Sequence, residues 1–458
     1  MAFDIASLIK SRQFDKFDLY EKYVNPWLVH TAHRVGFDKH FVSGEGSHLY
    51  DEEGQRYLDL DAGSGVYILG RNHPRIQETI RQLFDGKTPG LINRNPHLLA
   101  GLLAEALAER MPTNLNKAIF TNAGAETVEA SLKMARKITG RPRLLYLNGD
   151  YHGNSYGAMS VTSTDEGAVD LADGLGPMLP DCIELQRNDL DVLRQELEKG
   201  DVAGLIFEPI RGSTVEPLSD EYFKGAQELC RKHGTMFIAD EILVGYGRTG
   251  TMFASERFGI EPDMLLVSKG MSGGVVPVGA VMVRDEQFAK AYDRQGIFVH
   301  RSTFMENDFG MAVGLATLHI LEEEGLVDKA KHTGMMLVEG LRQLQKKYSM
   351  IADVRGYGML VGIELQAPKS LTQKLSGNML ARKGLLGHMM MIELMQKHRI
   401  LTAPVRQKNM LRVHPPYSMS EEDVAYFLES FDSVLKAAHR FPDGISQFLM
   451  GHLLKMAS

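Results

Sequence analysis

Thr235-Met-Phe-Ile-Ala-Asp240-Glu241 and Asp263-Met-Leu-Leu-Val-Ser-Lys269-Gly270 are the two stretches on which the fold turns. Each is a short apolar run that ends in reactive chemistry: carboxylates in the first, an amine followed by glycines in the second. Runs of this length with no polar alternation predict strands buried on both faces, as in a parallel sheet. Two such strands deliver an acid, Asp240, and an amine, Lys269, to the same edge of that sheet.

Outward from this pair, strands and helices alternate from about residue 98 to about 325. Candidate strands are Lys117–Thr121, Arg143–Leu147, Val202–Glu208, Thr235–Glu241, Met264–Ser268 and Val278–Val283. Helical patterns lie between them, such as Glu221–His233 with Gly234 as its C-terminal cap. This predicts an α/β fold with a largely parallel sheet and helices on both faces. Before residue 60 the sequence predicts a hairpin turning at Asp51–Gly54. After about 325 the pattern becomes a long helix, short strands at Met359–Leu365 and Met410–Val413, and a helix from about Glu421. The expected organisation is a terminal segment (1–60), a large domain (61–325) and a smaller α+β part (326–458).

The chain has 458 residues, and 51 basic against 58 acidic residues leave a net charge of −7. No Lys/Arg run or basic face is present, which argues against nucleic acid as a partner. Two cysteines, Cys182 and Cys230, are too few for a disulfide framework or a four-ligand zinc site, and no metal is expected. His30 and His33 have no further ligands near in sequence and read as surface or interface histidines. No signal-peptide layout and no 18-residue apolar stretch occurs, so no membrane association and a cytoplasmic location are expected.

Several motifs surround the central pair. Thr121-Asn-Ala-Gly124-Ala125-Glu126 ends a strand and opens a helix; small residues there let main-chain amides approach an anion. Alone it stands equally for a tight turn with no ligand. Tyr151-His152-Gly153 follows the next strand, where an aromatic can stack on a flat ring, although a lone tyrosine is more often a core residue. Gly245-Tyr-Gly247-Arg-Thr-Gly250 matches the dinucleotide pattern, but no strand runs into its first glycine and no long helix follows. It reads as a structural loop beside Asp240. A nucleophilic amine and a carboxylate able to hold a pyridinium nitrogen are what pyridoxal 5′-phosphate (PLP) requires. Burial would depress the lysine pKa and favour that role.

Taken in order, eight blocks resemble the class III, or ω-type, aminotransferases of PLP fold type I: Gly44-Glu-Gly-Ser-His-Leu-Tyr-Asp, Asn122-Ala-Gly-Ala-Glu, Tyr151-His-Gly, Glu208-Pro, Asp240-Glu…Gly247-Arg-Thr-Gly, Ser268-Lys-Gly, Arg355-Gly-Tyr-Gly and Leu411-Arg-Val-His-Pro-Pro. The resemblance runs from about Gly44 to Asp423. It implies a large seven-stranded-type sheet domain and a small domain built from the terminal segments. It implies that Lys269 binds PLP covalently and shuttles a proton, and that Asp240 pairs with the pyridinium nitrogen. Tyr151 and Ile242 would flank the ring, the Gly124 and Ala125 amides would hold the phosphate, and His152 and Glu208 would complete the site. Thr303 matches a threonine contributed to the phosphate across a homodimer interface, and Arg412 matches an arginine that grips a substrate carboxylate.

Three positions depart from the family pattern. Ala123 replaces a phosphate-binding serine, and Leu243 stands where glutamine is frequent. Ser213 stands where ornithine- and aminobutyrate-type relatives have a glutamate that gates the arginine. The resemblance therefore implies ping-pong transfer from a primary amine or ω-amino donor to a 2-oxo acid, pyruvate or 2-oxoglutarate. An aminomutase or decarboxylase of the same fold, a dinucleotide enzyme using Gly245–Gly250 and a non-catalytic PLP-fold binding protein are the alternatives.

Overall fold

The computed structural model describes residues 3–92, 94–163, 171–292, 299–366, 384–405 and 408–439. The first strands, β1 (Phe41–Glu45), β2 (His48–Asp51) and β3 (Arg56–Asp59), form an antiparallel meander. The β2–β3 turn falls where the hairpin is expected. Asp51 Oδ1 accepts from the Glu53 and Gln55 amides, and Gly54 takes φ +74°.

The central sheet follows. Its strands are β4 (Lys117–Thr121), β5 (Arg143–Leu147), β6 (Cys182–Leu185) and β7 (Val202–Phe207), then, after a two-residue ribbon of β8 (Ile210–Arg211) and β9 (Glu216–Pro217), β10 (Met236–Asp240), β11 (Met264–Val267) and β12 (Gly279–Val283). The spatial order is β4-β12-β11-β10-β7-β5-β6. All neighbours are parallel except at β12, which runs antiparallel to both β11 and β4. Every residue of β7, β10, β11 and β12 is buried. That burial explains the unbroken apolar runs in the sequence.

Helices cover the sheet through apolar stripes. The Gly124–Thr139 helix buries Val128, Leu132 and Ala135 and ends at Gly140, left-handed at φ +67°. The Asp220–His233 helix starts on the Ser219 hydroxyl, which accepts from the Tyr222 amide, and stops at left-handed Gly234.

Beyond residue 325 lie the Leu326–Lys347 helix, β13 (Ile351–Tyr357), β14 (Leu360–Leu365), β15 (Ile400–Leu401), β16 (Ala403–Pro404), β17 (Met410–Val413) and the Glu421–His439 helix. These strands, β15 apart, form an antiparallel sheet ordered β13-β14-β17-β16. β15 instead pairs in parallel with β3, so the two ends of the chain share a sheet. Among the described residues no helix is long and apolar enough to cross a membrane.

Candidate active site

The C-terminal ends of the parallel strands are where a sheet of this kind binds ligands, because loops there diverge around a crevice. Asp240 is the last residue of β10 and is buried. Its Oδ1 accepts from the Ile242 amide at 3.0 Å, and its Oδ2 lies 2.6 Å from Nδ1 of His152. His152 is buried as well. Burial opposes charge on the ring, but the Asp240 bond and the negative charges of Asp240, Asp150 and Glu208 hold its pKa above the ordinary value. The two bonds fix the Asp240 carboxylate at the sheet edge.

Lys269 follows β11 and opens a short 3₁₀ turn, Lys269–Ser272. Its φ of +33° is a left-handed conformation that a lysine adopts only under constraint. Burial, with the charge of Arg412 added to it, holds the amine below the usual lysine range; Glu208 and Asp240 oppose the shift. An amine so placed is more often unprotonated and nucleophilic.

Glu208 sits just past β7. Its Oε2 accepts from the Tyr151 amide and its Oε1 from the Gly212 amide, each at 3.1 Å, while its own amide donates to Asp150 Oδ2 at 2.9 Å. Burial, reinforced by the charges of Asp150 and Asp240, pushes its carboxyl up to about 7. Asp150 is itself buried and paired with Arg187. Sequence reasoning missed Asp150, Arg187, Asp61 and His414. A lone carboxylate at a strand end resembles a turn residue, and nothing local advertises its partner.

Tyr151 is half-exposed beside this group, with its backbone fixed by Glu208. Gly124 opens its helix against Ile242, and a Cβ on Gly124 would come within 3.1 Å of the Ile242 side chain. Gly153, at φ +134°, packs on Ala125 just as closely. Thr303 is exposed; the neighbouring Ser302 hydroxyl accepts from Asn122 of the same chain at 2.9 Å, and His300 lies 3.0 Å from Glu126.

Arg412, on β17, donates through Nη1 to the Gly212 carbonyl at 2.6 Å, and its Nε is buried without a partner. No carboxylate is ion-paired to it among the described residues. Ser213 follows Gly212 and offers no charge, while Leu243 packs over Gly212. The Gly245–Gly250 segment is a run of turns, not a strand-to-helix junction. Its Arg248 is fully buried and donates to the carbonyls of Met359, Pro415 and Gly65. That is a structural clasp, as the sequence reading expects. His30 and His33 are exposed beside Glu21 and Asp38.

A sheet edge carrying a histidine-anchored carboxylate and a depressed lysine defines a PLP enzyme of fold type I, and comparison with known proteins agrees. The family Aminotransferase class-III matches residues 33–435, and the chain belongs to that family. Aminotransferase PigE of Serratia is 30% identical over 92% of this chain, which spans 53% of that relative, about half its length. The putrescine aminotransferase of Pectobacterium atrosepticum is 31% identical over 91% of this chain and 87% of its own. An ornithine aminotransferase of Toxoplasma gondii, crystallised with PLP at partial occupancy, is 27% identical with a TM-score of 0.75, covering 86% of this chain and 90% of that one.

The family is PLP-dependent, and the residues present fit the cofactor. The helix at Gly124 has no side-chain cap, since Ala123 offers none, so its first amides remain available to a phosphate. The cradle between Gly124 and Ile242 is tight: a Cβ on Gly124 would lie 3.1 Å from the Ile242 side chain, which would have to give way. The buried Asp240 carboxylate and the Lys269 amine are the kinds of group the cofactor would need for its ring nitrogen and its aldehyde.

Proposed function

We propose that this chain transfers an amino group from a primary amine or ω-amino donor to a 2-oxo acid, pyruvate or 2-oxoglutarate, by a ping-pong route. The observation that carries the reading is the His152-anchored Asp240 in one field with a depressed Lys269. PLP bound there supplies an electron sink for the carbon that loses its proton. Asp240 would meet the ring nitrogen, and His152 would keep the Asp240 carboxylate in place. Gly124 and Ala125 amides bind the phosphate; Tyr151 and Ile242 flank the ring. Lys269 Nζ would take the proton from the donor carbon and pass it to the cofactor's aldehyde-derived carbon, and would carry a proton the opposite way in the second half-reaction. Glu208, fixed by two amides, orients the loop behind Tyr151.

Arg412 receives the carboxylate of the 2-oxo acid. Ser213 leaves it without a glutamate gate, and Leu243 makes the neighbouring wall apolar, which favours an amine donor over ornithine or aminobutyrate. Thr303 lies on the segment proposed to complete the phosphate site of a second subunit, which makes the enzyme a homodimer; a cytoplasmic location suits its small-molecule substrates.

The test is the absorbance of bound cofactor in purified protein, with Lys269→Ala as control, followed by a donor screen against both 2-oxo acids. A wild type that binds no PLP, or that binds it and transfers nothing from any amine, would overturn the reading. A donor consumed without amino transfer to a 2-oxo acid would point to a mutase or decarboxylase.

A further inference from the structure

The wall beside Arg412 holds a carboxylate that feels the charges of Arg412 and Arg71 but has no cation in ion-pair contact among the described residues. Asp61 sits just after β3, and its Oδ2 accepts from the Ser64 amide at 2.9 Å. Its Oδ1 lies 3.7 Å from the Nε2 of His414, too far for a hydrogen bond. Among the described residues no lysine or arginine is ion-paired with Asp61. His414 is fully buried, and neither of its ring nitrogens has a hydrogen-bond partner. A buried imidazole without partners is costly.

Ala62, Gly63, Ser64 and Gly65 all take positive φ, from +47° to +83°, two of them non-glycine residues. At Gly65 a Cβ would lie 2.8 Å from Leu243 Cδ1 and 3.9 Å from His414 Cγ. Leu243 also covers Gly212, whose carbonyl holds Arg412. Asp61, Gly65, Leu243, His414 and Arg412 thus form one continuous wall. Asp61 keeps about a third of its side chain exposed, whereas His414 is sealed behind it. Burial, with the charges of Arg412, Arg248 and Lys269, keeps His414 uncharged, well below its ordinary pKa. The imidazole therefore does not neutralise Asp61.

We propose that Asp61 is the receptor for the distal ammonium of a diamine donor, with His414 as the positioning residue packed behind its carboxylate. This rests on the aminotransfer reading above. One amine of the donor reacts at Lys269. The methylene stem lies along Gly65 and Leu243, and the other end, as an ammonium, donates to Asp61 Oδ1. A monoamine of equal length leaves that oxygen unmet. Specificity of this kind is large because a buried polar group is otherwise left without its partner.

The experiment compares kcat/KM for putrescine and butylamine, with pyruvate saturating, in PLP-loaded wild type, Asp61→Asn and His414→Gln. The ratio is taken within each variant, so partial misfolding cancels. The expected wild-type ratio favours putrescine by roughly tenfold or more, the value of one charge-assisted hydrogen bond. Asp61→Asn brings it close to parity, chiefly through KM. His414→Gln lowers it several-fold in the same direction. A wild type that uses butylamine as well as putrescine would overturn the proposal, as would an Asp61→Asn variant that keeps the wild-type ratio. Should Asp61→Asn instead raise KM for pyruvate at an unchanged amine ratio, Asp61 is the counter-ion of Arg412 and the proposal fails. Absence of transfer from every amine would overturn the aminotransfer reading itself, a different outcome from active enzyme without diamine preference.

Discussion

Replacing Arg412 by alanine isolates the acceptor half of the proposed reaction. Its Nη1 is already committed to the Gly212 carbonyl at 2.6 Å, while Nε is buried with no partner. The free edge of the guanidinium is therefore the Nε–Nη2 side, two parallel N–H donors spaced for a carboxylate. Two charge-assisted bonds of about 1.5–3 kcal/mol each, less the cost of stripping water from the carboxylate, leave a net of about 3 kcal/mol. Alanine should then lower kcat/KM for pyruvate and for 2-oxoglutarate by roughly 100-fold. Arg412→Lys keeps a positive charge but loses the fork, so about half of that energy, a factor of roughly ten, should go. The assay follows the two half-reactions separately: cofactor absorbance on adding amine, then its reversal on adding 2-oxo acid. The loss should fall on the second. If the acceptor kcat/KM changes less than about threefold, or if a donor with no carboxylate suffers as much as the acceptor, Arg412 does not grip the 2-oxo acid.

Asp240→Asn removes the charge that His152 fixes at 2.6 Å; PLP should still bind, but single-turnover conversion of donor should fall by roughly 100- to 1,000-fold. An unchanged rate would remove Asp240 from the mechanism. Arg248→Ala strips partners from the carbonyls of Met359, Pro415 and Gly65, and denaturant unfolding should show a loss of about 3 kcal/mol or more; lysine should not rescue it, since an ammonium cannot span three carbonyls in that plane. Glu208 gives a pH signature. Its folded pKa of about 7 lies above the ordinary 4.5, so its contribution to stability is complete below the lower value and is lost as pH rises through the upper one. Glu208→Gln removes that dependence. The stability of wild type relative to the variant should thus be greater below pH 4.5 than above pH 7; a gap that widens with rising pH would contradict the raised pKa.

Much of this was legible in the sequence because the relevant signals are local. β10 and β11 are unbroken apolar runs since both faces are covered, and each ends on the residue that matters, Asp240 or just before Lys269. β6 escaped notice because Cys182-Ile-Glu-Leu185 is an edge strand, mostly half-exposed and too short to show a pattern. The antiparallel direction of β12 was equally unreadable, since a buried strand reads the same either way. β13 alternates poorly, with buried residues only at Ile351 and Val354. The juxtaposition of Asp61 and His414, 3.7 Å apart, joins opposite ends of the chain, and no periodicity links them.

That split follows from how the pocket is built. The cofactor side comes from one sheet edge, where successive strands of a single layer present Asp240, Glu208 and Lys269. The side proposed to take the substrate is assembled from three distant pieces: the loop after β3 with Asp61, the start of β14, and β17 with Arg412, followed by His414. Arg248 clasps these pieces through Gly65, Met359 and Pro415. Its fully buried charge makes the clasp sensitive to any shift among them. A change in one peripheral piece can alter which donor is accepted while the Asp240–Lys269 edge, belonging to a different layer, stays in place. Ser213 and Leu243 are changes of this kind: both lie on the substrate wall, and neither alters a hydrogen bond of Asp240 or His152.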